Sequence, residues 1–208
     1  MPLEKLEYHA NTHVWGIWKI TETEEELLSH VKDYESIAEN ITHPAKRLEF
    51  IAGRVLAKVL LEKTGGYFEG VTKDVFGKPF YKKRTYHLSL SHSYPLVGAI
   101  LDTQKTVGID VEQIKNKLLK IAPRVLHASE LQDAADSETK HCIYWCAKEA
   151  LVKVYGKKDL VFSENLRIEP FALENEGHLT GRIVIDDAET TLPLQYLVFG
   201  DFVVVFTV

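Results

Sequence analysis

The sequence predicts an α+β fold made of two halves with similar element order, about residues 1–104 and 105–208. Three observations predict it. Two apolar stripes at helical spacing, one after Pro44 and one before Gly156, occupy comparable places in the two halves. Runs of β-branched and aromatic residues separated by turn residues accompany each stripe. The polar bridge Asp102 to Thr106 (DTQKT) falls at the midpoint, and the order strand, helix, helix, strands reads on either side of it. Val14-Trp15-Gly16-Ile17 echoes Val107-Gly108-Ile109 only faintly, with no sequence repeat around it.

With 45% hydrophobic and 26% charged residues, the 208-residue chain has an ordinary globular composition, enough for one generous domain or two small ones. No apolar run reaches the roughly 18 residues needed to span a bilayer. The first eleven residues are polar without a signal-peptide core, so a cytoplasmic location is the default expectation. The net charge of −5 argues against a nucleic-acid binder, because neutralising phosphates takes concentrated Lys and Arg. Cys142 and Cys146 lie four apart within a helical pattern, with no further ligands for a zinc set, and read as packing residues.

His13 to Ile20 (HVWGIWKI) reads as a strand, and an acidic helix is expected from about Glu24 within the segment 21–40. Pro44 opens a stronger helix at its first turn. Leu48, Ile51, Ala52, Val55, Leu56 and Val59 give it one buried stripe up to Gly65-Gly66. Arg47, Arg54 and Lys58 share a face outside that stripe, either a solvated basic face or an anion site. Phe76-Gly77-Lys78-Pro79-Phe80 is a turn: Gly77 permits unusual dihedrals and Pro79 keeps Lys78 out of the α region. His87 to Leu101 reads as a hairpin turning at Ser91-His92-Ser93-Tyr94-Pro95. Its hydroxyls around one imidazole suit phosphate oxygens, although such a turn is more often only a turn.

Val107 to Glu112 (VGIDVE) alternates with period two, placing Asp110 and Glu112 on the face opposite Val107, Ile109 and Val111. Carboxylates at i and i+2 lie roughly 7 Å apart along a strand, a spacing suited to two oxygen ligands of one divalent ion. Alone, the stretch reads more readily as an edge strand with an acidic face. Gln113 to Leu126 follows, basic through Lys115, Lys117, Lys120 and Arg124, which suits either an acidic helical partner or a solvated face. Ser137 to Tyr155 is the second strong helix, closed by Gly156. Its apolar stripe is Ile143, Ala147, Ala150, Leu151 and Val154, with Trp145, Glu149, Val152 and Lys153 on another face and Lys148 beside them. Alone, Glu149 and Lys153 would read as an ordinary i, i+4 surface pair. Four strands are expected in the last third, at Arg167 to Ala172, Thr180 to Ile185, Leu192 to Phe199 and Phe202 to Val208, with turns at Glu176-Gly177 and Gly200-Asp201.

Four motifs in this order, Phe76-Gly-Lys-Pro79, Leu90-Ser-His-Ser93, Gly108-Ile-Asp-Val-Glu112 and Trp145-Cys-Ala-Lys-Glu149-Ala-Leu-Val-Lys153, resemble the 4′-phosphopantetheinyl transferase superfamily, in its monomeric, two-half, surfactin-synthetase type. The pairing of the acidic strand with the helix about 37 residues later is the specific part. The resemblance covers roughly residues 40–160. It implies two similar α/β halves related by pseudo-twofold symmetry, with the active site in the cleft between them. It further implies transfer of the 4′-phosphopantetheine arm of coenzyme A to a serine of an acyl or peptidyl carrier protein, releasing adenosine 3′,5′-bisphosphate.

Carried onto this chain, the resemblance makes Asp110, Glu112 and Glu149 ligands of Mg²⁺, with Mn²⁺ the alternative ion. Glu149 becomes the base, directly or through water, and Lys153 the group that meets the leaving phosphate. Arg47, Arg54, Lys78, Ser91, His92 and Lys148 are assigned to the coenzyme, and Lys115, Lys117, Lys120 and Arg124 to the acidic helix of the carrier. Cys146 stands where Ser or Thr is common in the family. The rival readings are a noncatalytic coenzyme A or carrier-protein binding module of the same fold and another Mg²⁺-dependent phosphate chemistry. The nucleoside-triphosphatase form of the latter is excluded by the absence of a G-x-x-x-x-G-K-[ST] loop.

Overall fold

The two longest apolar stripes of the sequence are the two longest helices of the computed structural model, which describes residues 3–9, 12–32, 41–83, 86–157, 159–186 and 188–208. The chain divides into two compact units, Met1–Val107 and Gly108–Val208, and each combines α-helices with antiparallel sheet. No helix among the described residues is long and apolar enough to cross a membrane.

The N-terminal unit runs β1 (Leu3–His9), β2 (His13–Lys19), α1 (Glu24–Ser29), α2 (Pro44–Lys63), β3 (Val71–Lys73), β4 (Pro79–Tyr81), β5 (His87–Ser93) and β6 (Leu96–Asp102). Four strands pair in the order β1-β2-β6-β5, and β3 with β4 forms a separate ribbon. Helix α2 begins with Pro44 in its first turn, where the missing N–H costs no intrahelical bond. Its Ile51, Ala52, Val55, Leu56 and Leu60 are buried against Val14, Trp18, Val97, Ala99 and Leu101 of the sheet. Tyr81 Oη donates to the carbonyl of Ala57 at 2.8 Å, tying the β3–β4 ribbon to α2.

Several boundaries differ from the sequence reading, for local reasons. Helix α1 is short and closed at its start by a capping box between Thr23 and Glu26; residues 33–40 of its expected extent lie outside the described residues. Strand β1 was not foreseen, because Leu3–His9 mixes charges and apolar residues without clean alternation and its register shifts between Leu3 and Lys5. Strand β5 continues through Ser93, where a turn was expected from Ser91. The ladder from Ser91 opposite Gly98 to Ser93 opposite Leu96 holds it extended and leaves only Tyr94-Pro95 to turn.

The C-terminal unit runs β7 (Ile109–Gln113), α3 (Lys117–Val125), α4 (Ala128–Ala134), α5 (Glu138–Tyr155), α6 (Phe162–Asn165), β8 (Leu166–Ile168), β9 (Glu176–Ile185), β10 (Ala188–Phe199) and β11 (Phe202–Thr207). The five strands pair in the order β7-β11-β10-β9-β8. Helix α5 is capped by Ser137 Oγ, which accepts the N–H of Lys140, and stops at Gly156, whose φ of 80° is left-handed. Ile143, Ala147, Ala150 and Leu151 pack on Leu179, Leu194, Val203 and Val205. The turn expected at Glu176-Gly177 is the start of β9: Tyr196 lies over Gly177 so closely that a Cβ there would stand 2.7 Å from the ring. Glycine is here a packing choice, not a turn. Helix α4 was not anticipated.

Gly108 of the acidic motif has a similar role with larger consequences. A Cβ on it would stand 2.0 Å from the carbonyl oxygen of Ala150, so only glycine lets the chain pass this close to α5. Gly108 also donates to Thr207 Oγ1 at 3.2 Å and accepts from the N–H of Thr207 at 3.0 Å, which fixes the approach from the β11 side. Gly108→Ala is expected to cost about 3 kcal/mol or more by overpacking against backbone that cannot yield. Denaturant unfolding of the variant measures it, and an unchanged midpoint would refute the account.

Candidate active site

Among the described residues strand β7 pairs with β11 alone, placing Asp110 opposite Val205 and Glu112 opposite Val203. Ile109 and Val111 are fully buried, as the alternation requires, and Asp110 is buried as well, with Glu112 half-buried. Helix α5 supplies Glu149 beside Ala150 and, one turn on, Lys153. Lys153 Nζ donates to Asp110 Oδ1 and to the carbonyl of Ile109, both at 2.7 Å. The pair expected to lie between Glu149 and Lys153 is thus a strand-to-helix bridge from Lys153 to Asp110.

Asp110 acts electrostatically on both Glu112 and Glu149. Glu149 is pushed up to about 7, first by burial and then by Asp110, with Glu112 adding to the rise and Lys153 opposing it. Glu112 is raised by burial and by Asp110, against Lys117, the backbone N–H of Gln113 and Lys115. Among the described residues no three His, Cys, Asp or Glu side chains stand at ligating geometry, so the expected Mg²⁺ ligand set is not assembled as such. Its donor chemistry still fits a hard divalent cation. Glu112 and Glu149 are both raised with Asp110 nearby, and added positive charge there would favour their ionised forms.

In the N-terminal unit the residues expected at the coenzyme divide into separate places. Arg54, Ser91 and His92 line a cavity of about 150 Å³ together with Glu49, Lys73 and Gly77. The Arg54 guanidinium lies 3.2 Å from the centroid of the Phe50 ring and donates to the Phe50 carbonyl. Lys78 lines a neighbouring cavity of about 260 Å³ with Asp74, Phe80, Tyr86 and His87. The turn is held by Asp74 Oδ1, which accepts from the N–H groups of Phe76 and Lys78, with Gly77 at a φ of 90°. Burial lowers the pKa of Lys78 and Asp74 partly offsets that.

Two residues expected at the coenzyme have partners within the protein. Arg47 donates through Nε and Nη2 to the Glu24 carboxylate, at 2.8 and 2.6 Å, and through Nη1 to the Ile41 carbonyl, so it joins α2 to α1. Lys148, expected at the coenzyme, is wholly buried. Its Nζ meets Glu130 Oε2 at 2.6 Å and donates to the carbonyls of Val125, Phe162 and Leu166. Glu130 in turn accepts from the N–H groups of His127 and Ile168. The pair is a structural hub joining α3, α4, α5 and β8. Lys58, the third member of the expected basic face, pairs with Glu62 at 2.9 Å. Lys115, Lys117, Lys120 and Arg124 are exposed, while Leu118, Ala122 and Leu126 anchor their segment.

Sequence reasoning missed Glu49. It is 1% exposed; its Oε1 accepts the N–H of Tyr94 at 2.9 Å, and its Oε2 meets His92 Nδ1 at 3.1 Å and Lys46 Nζ at 2.7 Å. Burial alone would raise its pKa, but the close pairing with His92 and Lys46 outweighs burial and holds it at about 2. The available signal was an acid between Leu48 and Ile51, at the border of an apolar stripe.

Residues 106–207 match the family model described as the 4′-phosphopantetheinyl transferase superfamily. The acidic strand, α5 and the sheet of the C-terminal unit all fall inside that match, and the resemblance drawn from the motifs holds there. Among particular proteins, the chain is 41% identical over 88 residues to 4′-phosphopantetheinyl transferase psf-1 of Bacillus pumilus, covering 39% of this chain and 37% of that protein. It is 28% identical over 113 residues to a 4′-phosphopantetheinyl transferase of Bacillus subtilis, covering 50% and 48%. With 4′-phosphopantetheinyl transferase gsp of Aneurinibacillus migulanus it shares 33% over 90 residues, covering 41% and 37%. The matches therefore span half or less of these relatives' own length.

Glu130→Ala, which strands a buried ammonium, is expected to cost about 3–5 kcal/mol, whereas replacing Glu130 and Lys148 together by Leu and Met is expected to be close to neutral. Urea unfolding distinguishes the two. Glu49 gives a pH dependence of known sign: its pKa falls on folding from 4.5 to about 2, so its stabilisation is present above 4.5 and disappears as pH falls through 2. The stability difference between wild type and Glu49→Gln should be on the order of 3 kcal/mol larger at pH 6 than at pH 2, measured by urea unfolding across that range.

Proposed function

We propose that this chain transfers the 4′-phosphopantetheine group of coenzyme A to a serine of an apo acyl or peptidyl carrier protein. One observation supports the reading: Lys153 of α5 bonds Asp110 of β7, and Asp110 and Glu112 both bear on the buried Glu149, inside the residues that match the superfamily. In the reaction the serine Oγ forms a bond to the phosphorus on the pantetheine side of the coenzyme's pyrophosphate. The bridging P–O bond breaks, the serine proton goes to a base, and adenosine 3′,5′-bisphosphate leaves.

Glu149 is the base. A carboxylate raised to about 7 binds a proton more readily than an ordinary one and still has an ionised fraction near neutral pH. Lys153 stands against Asp110, where its ammonium offsets negative charge gathering on the phosphates. Asp110, Glu112 and Glu149 are the residues that would hold Mg²⁺, and the ion would supply charge neutralisation at the pyrophosphate. Arg54, Ser91 and His92 take a phosphate of the coenzyme in the N-terminal unit, and Lys78 lines the neighbouring cavity. The exposed Lys115, Lys117, Lys120 and Arg124 receive the acidic helix of the carrier, an attraction that added salt weakens.

Intact-protein mass spectrometry of an apo carrier with coenzyme A and Mg²⁺ tests the proposal, with a gain of one phosphopantetheine group expected. Glu149→Gln should lower turnover by about 10²- to 10⁴-fold while coenzyme affinity changes little. Coenzyme A binding without any mass gain across fatty-acid and nonribosomal carriers would replace the enzyme by the noncatalytic binding module.

A further inference from the structure

The cavity beside α2 and β5 is lined by cationic and hydroxyl side chains, yet a buried carboxylate stands among them. Arg54, Lys73, Ser91 and His92 suit an anion; Glu49 by itself repels one. Burying an acid within a few residues of Leu48, Ile51 and Ala52 requires compensation, which its three partners provide. Only one of those partners also faces the cavity as a polar side chain. That partner is His92, whose Nδ1 is 3.1 Å from Glu49 Oε2 and whose side chain is 45% exposed.

We infer that Glu49 is a positioning residue: the charge of its carboxylate, 3.1 Å from Nδ1, keeps that side of the His92 ring turned towards it, so that Nε2 is the nitrogen presented to a phosphate-bearing ligand in the adjoining cavity. A carboxylate oxygen 3.1 Å from a ring nitrogen favours the proton on that nitrogen, so Glu49 biases His92 towards a protonated Nδ1. With an anion at Nε2, both ring nitrogens donate, and the ring offers no acceptor that would repel a phosphate oxygen. The N–H of Tyr94, bound to the other carboxylate oxygen, fixes Glu49 relative to the end of the β5–β6 hairpin. His92 is therefore aligned before the ligand arrives, and less ordering remains to be done on binding.

The ligand's identity as coenzyme A rests on the proposed function, whereas the alignment of His92 does not. A double-mutant cycle over Glu49→Gln and His92→Ala, with coenzyme A and inorganic pyrophosphate titrated separately, keeps the two apart. If Glu49 acts through His92, Glu49→Gln weakens binding about tenfold, and in the His92→Ala background it adds nothing. Losses that add would overturn the inference. Coupling seen with pyrophosphate alone upholds the positioning role and removes coenzyme A as the ligand; coupling with neither probe overturns it. Nitrogen-15 NMR of the wild-type histidine rings requires no variant to fold. It should show Nδ1 of His92 protonated and its Nε2 signal moving on titration with either probe, and a bare Nδ1 would overturn the inference.

Discussion

The chemistry available to the C-terminal unit depends on one backbone approach, that of Gly108 to the carbonyl of Ala150. Asp110 follows two residues after the contact on the strand, and Glu149 immediately precedes it on the helix. A side chain at 108 would push β7 from α5, and the acids would part. Because the approach is close and largely shielded from water, the carboxylates influence one another strongly, and Glu149 moves to about 7. Lys153 bridges the same two elements from the other side by its contacts with Asp110 and the Ile109 carbonyl. A steric minimum and an ion pair thus act on one strand-helix contact; burial and the neighbouring acids raise the proton affinity of Glu149, and Lys153 tempers the rise.

Buried charge is used in two different ways in this protein. Lys148 and Glu130 have no exposed surface and satisfy their remaining hydrogen-bonding capacity with backbone groups. Nothing of the pair is left for a ligand. Glu49 is almost as deeply buried, but one of its partners reaches a cavity. Burial therefore does not separate scaffold from site here. What separates them is whether any member of the network keeps a polar atom available to the outside.

The helices were legible because their signals are local. Pro44 in a first turn, Ser137 as a cap, Gly156 beyond the last turn and stripes at 3.6-residue spacing all act within a few residues of where they are read. The missed elements lack such signals. Strand β1 has a broken alternation, α4 spans only Ala128–Ala134, and β9 begins at a glycine that the Tyr196 ring, 19 residues further along the chain, makes extended rather than turning. The site residues divided likewise. Asp110 and Glu112 were readable as a pair, whereas the Lys153 to Asp110 bridge spans 43 residues.

The sequence by itself determined which residue types were at hand: an acidic strand, a helix carrying Glu149 and Lys153, and a hairpin carrying Ser91 and His92. These follow from periodicity and spacing, which are properties of neighbouring residues. Only the tertiary structure decided how they pair. It turned Lys148 inward to Glu130, bound Arg47 to Glu24, moved Lys78 to a cavity apart from His92, and put the unnoticed Glu49 behind that histidine. The physical reason is that a charged side chain takes the partner that relieves its desolvation best, and that partner stands on another element, where linear spacing does not reach.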